Sequence, residues 1–325
     1  MFPDRLGWKT RIAVGAAGLA LLLFPLVDSP FYLELVTKVM VLAVFAMSLD
    51  LLVGVTGLVS LGHAAFFGIG AYALALLTPR YKPPSFWLTL PVAVLAAAAG
   101  ALLVGFFVVR LKSVYFIMAT LAFAQMFFFL AHDTEFGRGS DGISLNFRPE
   151  ALVGDRQVFD LAEPRQVYYL VLLVLVLSLG LLRVLRRSAF GRALQGIRSN
   201  EHRMRSLGYA TFRYKLAAFV IAGALAGLAG YLYVAQRGFV NPEMLSWHQS
   251  GNVLVMVILG GMGSFYGAAL GAFAFVLLQE AFQATTLHWQ LLLGGTIVAV
   301  VLLLPGGLQG LRDRFRKALT GGPTA

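Results

Sequence analysis

RVLRRSAFGRALQGIRSNEHRMRSLGYATFRYK, residues 183–215, decides how the rest of the chain is read. It holds nine Arg or Lys residues (Arg183, Arg186, Arg187, Arg192, Arg198, Arg203, Arg205, Arg213, Lys215) and one acid, Glu201. Long apolar runs flank it, Val167–Leu182 before and Leu216–Val234 after. A charge at the centre of a bilayer costs roughly 2.5–3.5 kcal/mol on insertion scales. Nine such charges cannot all be buried in hydrocarbon, so the segment lies outside it. Lys and Arg collect in short loops on the cytoplasmic side, so its sign also assigns a side.

The composition agrees with a chain made mostly of membrane. Hydrophobic residues are 59% and charged residues 13% of the 325, and mean hydropathy is +0.79. Soluble domains carry about 25% charged residues. The net charge of +11 invites a nucleic-acid reading, but the basic residues sit between apolar runs or beyond the last of them. Orientation and anionic lipid explain that placement without nucleic acid. With no cysteine in the chain, disulfide and thiolate chemistry are excluded. The first apolar run, Ile12–Val27, follows Arg5, Lys9 and Arg11 and ends at Phe24-Pro25 without a small-x-small pattern. It is expected to be a retained first helix, not a cleaved leader.

A crossing helix needs about 20 apolar residues. Ten candidate spans result, near 12–27, 33–53, 58–77, 88–109, 113–131, 167–185, 214–234, 248–262, 264–283 and 288–304. The expected fold is an all-α polytopic bundle forming one membrane domain over 1–325. The basic loop, about 183–215, faces the cytoplasm and the 132–166 segment faces outside. That outer segment has seven acids (Asp133, Glu135, Asp141, Glu150, Asp155, Asp160, Glu163) against four arginines. Both termini are expected in the cytoplasm, given Arg5, Lys9 and Arg11 at one and Arg312, Arg314, Arg316 and Lys317 at the other. Arg110 and Lys112 agree; Arg80 and Lys82 dissent. Glycines interrupt 58–77 and 248–283, where re-entrant pieces would be tolerated inside protein.

Small residues recur every fourth position in three places: Gly263, Gly267 and Gly271; Ser60, Ala64 and Gly68; Gly223 and Gly227. Such ridges let helix backbones approach closely. The order of spans admits two inverted five-helix halves, although residue identity between them is poor.

Chemistry-bearing motifs are sparse. No Gly-x-x-x-x-Gly-Lys-Ser/Thr loop occurs, so any ATP that drives this chain is bound by another polypeptide. The histidines His63, His132, His202, His248 and His288 lack ligand spacing, no nucleophile elbow is present, and no metal or cofactor is called for. Ionisable residues at membrane depth are few: Glu34 and Lys38, four apart and able to pair on one helix face, and Asp50 and Glu280, expected in water at the interfaces. His63 and Gln125 read more readily as buried hydrogen-bonding groups than as ligand contacts. Ser188–Glu201 reads as a short helix with Phe190, Leu194 and Ile197 on one apolar face. A helix that docks into a partner's groove needs such a face.

Several segments together resemble the permeases of ATP-binding-cassette importers for branched-chain amino acids, of the LivM-type subunit. They are Gly57–Tyr72, Tyr115–Gln125, Gly139–Ile143, Gly191–Glu201, Lys215–Tyr233, Asn241-Pro242-Glu243 and Val257–Ser264, in the family's order over roughly residues 35–310. The resemblance implies a subunit that forms its pore with a second, LivH-like permease. Two cytoplasmic ATPase subunits and a periplasmic substrate-binding protein would complete the importer, in a bacterial inner membrane. It also implies that Gly191, Arg192, Gly196, Arg198, Asn200 and Glu201 form the segment seated on the ATPases. Ser60, His63, Thr120, Gln125, Gly263 and Gly267 stand as pathway or packing candidates. Two departures occur: Ser199 stands where the family usually has Glu, and Arg138 interrupts the glycine pair expected before Ser140-Asp141. Similar permeases carry urea and aromatic acids, so the cargo stays open. An ion-gradient carrier or a membrane scaffold are the readings from other classes.

Overall fold

The computed structural model describes residues 8–26, 29–79, 81–135, 137–153, 156–264, 266–304, 306–308 and 310. Arg5, Arg80, Asp155, Arg312, Arg314, Arg316 and Lys317, used above to assign sides, lie outside them. The helices are α1 (Trp8–Leu23), α2 (Pro30–Asp50), α3 (His63–Leu77), α4 (Phe86–Val108), α5 (Val114–Asp133), α6 (Pro164–Arg187), α7 (Ala189–Ser199), α8 (Glu201–Ser206), α9 (Thr211–Arg237), α10 (Trp247–Gly260), α11 (Gly267–Thr285) and α12 (Trp289–Leu303). A helix therefore stands at each of the ten expected spans, but only some have crossing length. Among the described residues six do: Pro30–Thr56, Phe86–Val108, Val114–Asp133, Pro164–Arg187, Thr211–Arg237 and Gly267–Thr285.

Two of the pieces below crossing length fall where glycines interrupt the pattern. α3 has 15 residues and α10 has 14. At 1.5 Å per residue they reach only about 22 Å of a ~30 Å core. Both lie against other helices: α3 on α9 and α4, α10 on α11 and α2. The irregular stretch 58–62 before α3 is covered by protein, the condition under which a membrane tolerates it.

α2 is the centre of the bundle. Residues 39–50 are all buried, and α6, α9, α10 and α11 surround it. A helix apolar on every side belongs in such a position. It continues as a π-helical turn, Leu51–Thr56, and stops at Gly57, whose φ of 75° is left-handed. α6 buries only one stripe (Val167, Val171, Leu175, Ser178, Leu182) and leaves Leu173, Val176 and Leu177 outward. That is the pattern of a helix with one face on protein and one on lipid.

The tightest packing is the α3–α4–α9 layer. Ala97 and Ala101 of α4 sit against Gly227 and Gly223 of α9, and the Gly70 and Gly230 backbones rest on the Gly227 and Phe67 carbonyls. In α10–α11, Gly271 lies on the Met256 carbonyl and the Gly260 backbone, and Gly267 lies beside Ser264. The small-residue ridges are therefore close approaches of backbone. Gly68 differs, for it faces the Leu245 side chain.

The acidic 132–166 segment departs from the all-α expectation. Strands β1 (Ile143–Ser144), β2 (Glu150–Val153), β3 (Arg156–Asp160) and β4 (Phe239–Val240) make two short antiparallel ribbons, β1 with β4 and β2 with β3. Leu145 N also donates to the Gly238 carbonyl at 2.8 Å. The ends of α5 and α9 thus meet at one end of the bundle, the basic segment at the other.

Gly230→Ala drives a methyl into the Phe67 carbonyl and should lower the thermal midpoint of the purified chain, at an overpacking cost of about 1–3 kcal/mol. Gly180→Ala, facing open space, should leave the midpoint level or raise it. A thermal-shift series on both variants checks this.

Candidate functional site

The basic end is built around two carbonyls, one amide and three charged side chains. Asp50 Oδ1 accepts from Gly263 N at 2.7 Å. Arg186 Nη2, near the end of α6, donates to the Gly263 carbonyl at 2.5 Å. Arg198, near the end of α7, donates through Nη1 to the Gly54 carbonyl in the π-helical turn. Gly54 and Gly263 abut so closely that a Cβ on either would meet the other's backbone, and Gly263 holds a left-handed φ of 74°. Glycine is the residue that adopts that conformation without steric cost. The α10–α11 connection is thereby tied to α2 and α6, and α7 is tied to α2.

Asp50 had been expected in interfacial water. It is instead 5% exposed, with both arginines near. A carboxylate survives burial when it is hydrogen-bonded and paired. Lys38 also departs from expectation: its Nζ lies 3.2 Å from Glu280 Oε1 on α11, not on Glu34. Both corrections have one cause. The preferred partner comes from an element distant in sequence, which helical spacing cannot reveal.

α7 is capped by Ser188, whose Oγ accepts from Gly191 N at 3.3 Å. Its apolar face is not offered outward. Leu194 and Ile197 are buried at 0% and 4% exposure, and Phe190 stacks on Tyr214 with ring centroids 5.7 Å apart. A docking role for that apolar face is thus overturned, because the chain's own body fills it. What α7 shows outward is polar: Arg192, Gln195 and Ser199.

The remaining candidates of this segment have intramolecular roles. Gly191 lies on the Leu185 and Arg186 carbonyls at the α6–α7 corner, and Gly196 lies on the Met204 thioether. Asn200 caps α8, its Oδ1 accepting from Arg203 N at 2.9 Å. Arg192 Nη1 donates to the Arg187 carbonyl at 2.6 Å. Glu201 Oε1 receives Arg205 Nη2 at 2.6 Å, Lys215 Nζ at 3.0 Å and Thr211 Oγ1 at 3.1 Å. Burial alone would raise the Glu201 pKa. The hydrogen bonds and charge from Lys215, with those from Arg205 and Thr211, outweigh it and hold the carboxyl below its ordinary value.

A second polar group lies deeper, where the non-helical stretch 57–62 leads into α3. Leu61 N donates to Thr120 Oγ1 at 3.3 Å, Gly62 N to Ser60 Oγ at 3.2 Å and Ala64 N to Ser250 Oγ at 2.9 Å. The first amides of a helix have no partner within it, and hydroxyls from α5, α10 and the stretch itself supply one. His63 Nε2 meets Ser48 Oγ at 2.8 Å, and its ring stacks on Phe45. Ser60, His63 and Thr120 are therefore brought together. Ser48 and Ser250 join them unannounced, since a lone serine in an apolar run carries no pattern. Gln125 stands apart, its Oε1 buried with no partner among the described residues. Gly263 and Gly267 belong to the basic end.

The family model for the branched-chain amino acid transport system permease component matches residues 31–302. The chain belongs to this family. It is 36% identical to the high-affinity branched-chain amino acid transport system permease protein LivM of Escherichia coli strain K12 over 304 residues, covering 88% of this chain and 71% of that one. The LivM protein of Salmonella typhimurium matches with the same identity and coverage. A shorter match, 34% over 154 residues and 45% of each chain, links it to the autoinducer 2 import system permease protein LsrC of Klebsiella pneumoniae. No solved structure matches. In this LivM-type permease the matched region contains both polar groups described above.

A carboxyl whose pKa is lowered by folding contributes stability above its unfolded value, and that contribution is lost as pH falls through the folded one. The permease should therefore lose stability below the ordinary glutamate pKa of about 4.3, partly through Glu201. Glu201→Gln should lower the midpoint at neutral pH and flatten its acid decline. Thermal midpoints across a pH series check both.

Proposed function

We propose that this permease is a translocating subunit of an ATP-driven importer for branched-chain amino acids. In this reading it crosses a bacterial inner membrane ten times, with the basic segment in the cytoplasm and the 132–166 segment outside. A second, related permease completes the pore, two ATPase subunits bind below, and a substrate-binding protein docks above. The proposal rests on family membership, on the LivM relatives' names and on one structural observation. That observation is the bonding of α7 and α8 to α2, α9 and, through α6, the α10–α11 connection. A partner that shifts α7 must shift the helix ends bonded to it.

The coupling surface in this reading is the outward polar face of α7, with Arg192 and Gln195 at its centre. Arg198, Gly191, Asn200 and Glu201 act behind it by fixing α7 to the bundle. An alternating tilt of helices around a fixed pathway is then the natural response to closure of the ATPases. The structure gives less support to an ion-gradient carrier. The carboxylates such a carrier would titrate at depth, Asp50 and Glu280, are occupied by Gly263 and Lys38.

Reconstituted with its partner subunits, the permease should take up leucine only with hydrolysable ATP. Arg192→Ala should lower uptake about fivefold, the equivalent of about 1 kcal/mol of lost interface contact, with little change in the thermal midpoint, since its bond to the Arg187 carbonyl is exposed. Arg198→Ala should lower both uptake and midpoint. Uptake that persists without ATP and collapses with an uncoupler would instead identify a gradient-driven carrier.

A further inference from the structure

At the end of the bundle opposite the basic segment lies a cavity of about 650 Å³ between the end of α3 and the acidic segment. Its volume falls within the ~300–1,000 Å³ typical of small-molecule sites. Ala75, Leu76, Ile143 and Leu145 supply apolar wall, and Thr78, Ser144 and Asn146 supply hydrogen-bonding groups. Glu135 and Arg138 complete the lining with one charge of each sign.

Two features set those charges apart. They sit three residues apart on one turn, joined by Arg138 N donating to the Glu135 carbonyl at 3.4 Å. Yet their side chains form no ion pair or hydrogen bond among the described residues. Arg138 also holds a left-handed φ of 57°, a conformation that costs a non-glycine residue roughly 1–2 kcal/mol. Such strain persists when surrounding structure enforces it, and it concentrates at ligand-binding sites. The enforcing structure is visible. Gly142 N bonds the Gly139 carbonyl, His132 Nε2 meets Ser140 Oγ at 3.0 Å, and β1 is paired to β4.

We propose that this cavity is an entry subsite for a zwitterionic aliphatic α-amino acid. Arg138 receives the carboxylate, Glu135 receives the ammonium, and the Leu76, Ile143 and Leu145 wall receives the side chain. A guanidinium pairs bidentately with a carboxylate, so Arg138 is the stronger determinant. A carboxylic acid without the ammonium, or an amide without the carboxylate, leaves one charge unanswered and binds less well. The inference rests on the amino-acid reading above for its choice of cargo.

The cysteine-free sequence supplies a direct test on the full chain in lipid nanodiscs. Ser144→Cys places a thiol in the cavity wall, and Tyr81→Cys, on a residue 88% exposed, reports from outside it. Maleimide labelling of Ser144→Cys should slow about tenfold once L-leucine reaches ten times its dissociation constant, because the free fraction falls as 1/(1 + [L]/Kd). 4-Methylpentanoate and leucinamide should protect far less at equal concentration, and Tyr81→Cys should not be protected. Adding Arg138→Gly should abolish protection, and Arg138→Lys should restore part of it. A thermal midpoint equal to that of the parent chain in each background shows the fold is retained. Absent protection, equal protection by 4-methylpentanoate, protection at Tyr81→Cys, or full protection with Arg138→Gly would each overturn the subsite. Uptake by the reconstituted importer separates the two readings. Uptake without protection removes the subsite alone; protection without ATP-driven uptake removes the importer and leaves the subsite.

Discussion

Every backbone N–H and C=O at hydrocarbon depth has to find its partner inside the protein, and α3 and α10 are too short to satisfy that demand unaided. The rest of the architecture follows from how the irregular backbone beside them is satisfied. Thr120, Ser60 and Ser250 take the amides at the start of α3. Asp50, Arg186 and Arg198 take the exposed amide and carbonyls of Gly263 and Gly54. An unpaired group in the membrane costs several kcal/mol, so these side chains are structural requirements before they are anything else. The same bonds fasten elements far apart in sequence, which is why a bundle with broken helices holds one shape.

Much of this was legible in residues 183–215 and in the glycine spacing. A dense run of arginines between apolar stretches excludes itself from hydrocarbon whatever the fold. Gly223 and Gly227 announce a close helix neighbour, and α4 answers with Ala101 and Ala97. The pairing of polar groups was not legible. Glu34 and Lys38 have suitable spacing on a helix, but Lys38 finds Glu280 some 242 positions away. Asp50 looks like an end-of-helix acid until Gly263 is brought against it. The face of α7 carries an amphipathic pattern that is correct, yet pattern alone cannot say whether a partner or the chain itself covers it. Here Tyr214 and the bundle do. Arg138 is a related case: the sequence marks it as a break in an expected glycine pair, and only the backbone shows that it occupies the left-handed conformation a glycine would favour.

The two ends of the molecule have opposite characters. At the basic end most charges are taken up by internal bonds, and Glu201 alone takes Arg205, Lys215 and Thr211. That end is cross-linked by bonds between elements distant in sequence. At the acidic end Glu135 and Arg138 line a cavity and have no side-chain partner among the described residues. A site that must capture and then release a solute benefits from charges that are held in place but not already satisfied.

Coupling to ATPases requires the basic segment to face the cytoplasm, where they can reach it. Gln195→Cys, on the outward face of α7, puts one thiol there in an otherwise cysteine-free chain. Treating intact cells with a membrane-impermeant maleimide measures its side. No labelling until the cells are permeabilised is the predicted result. Rapid labelling of intact cells would invert the topology and contradict the account.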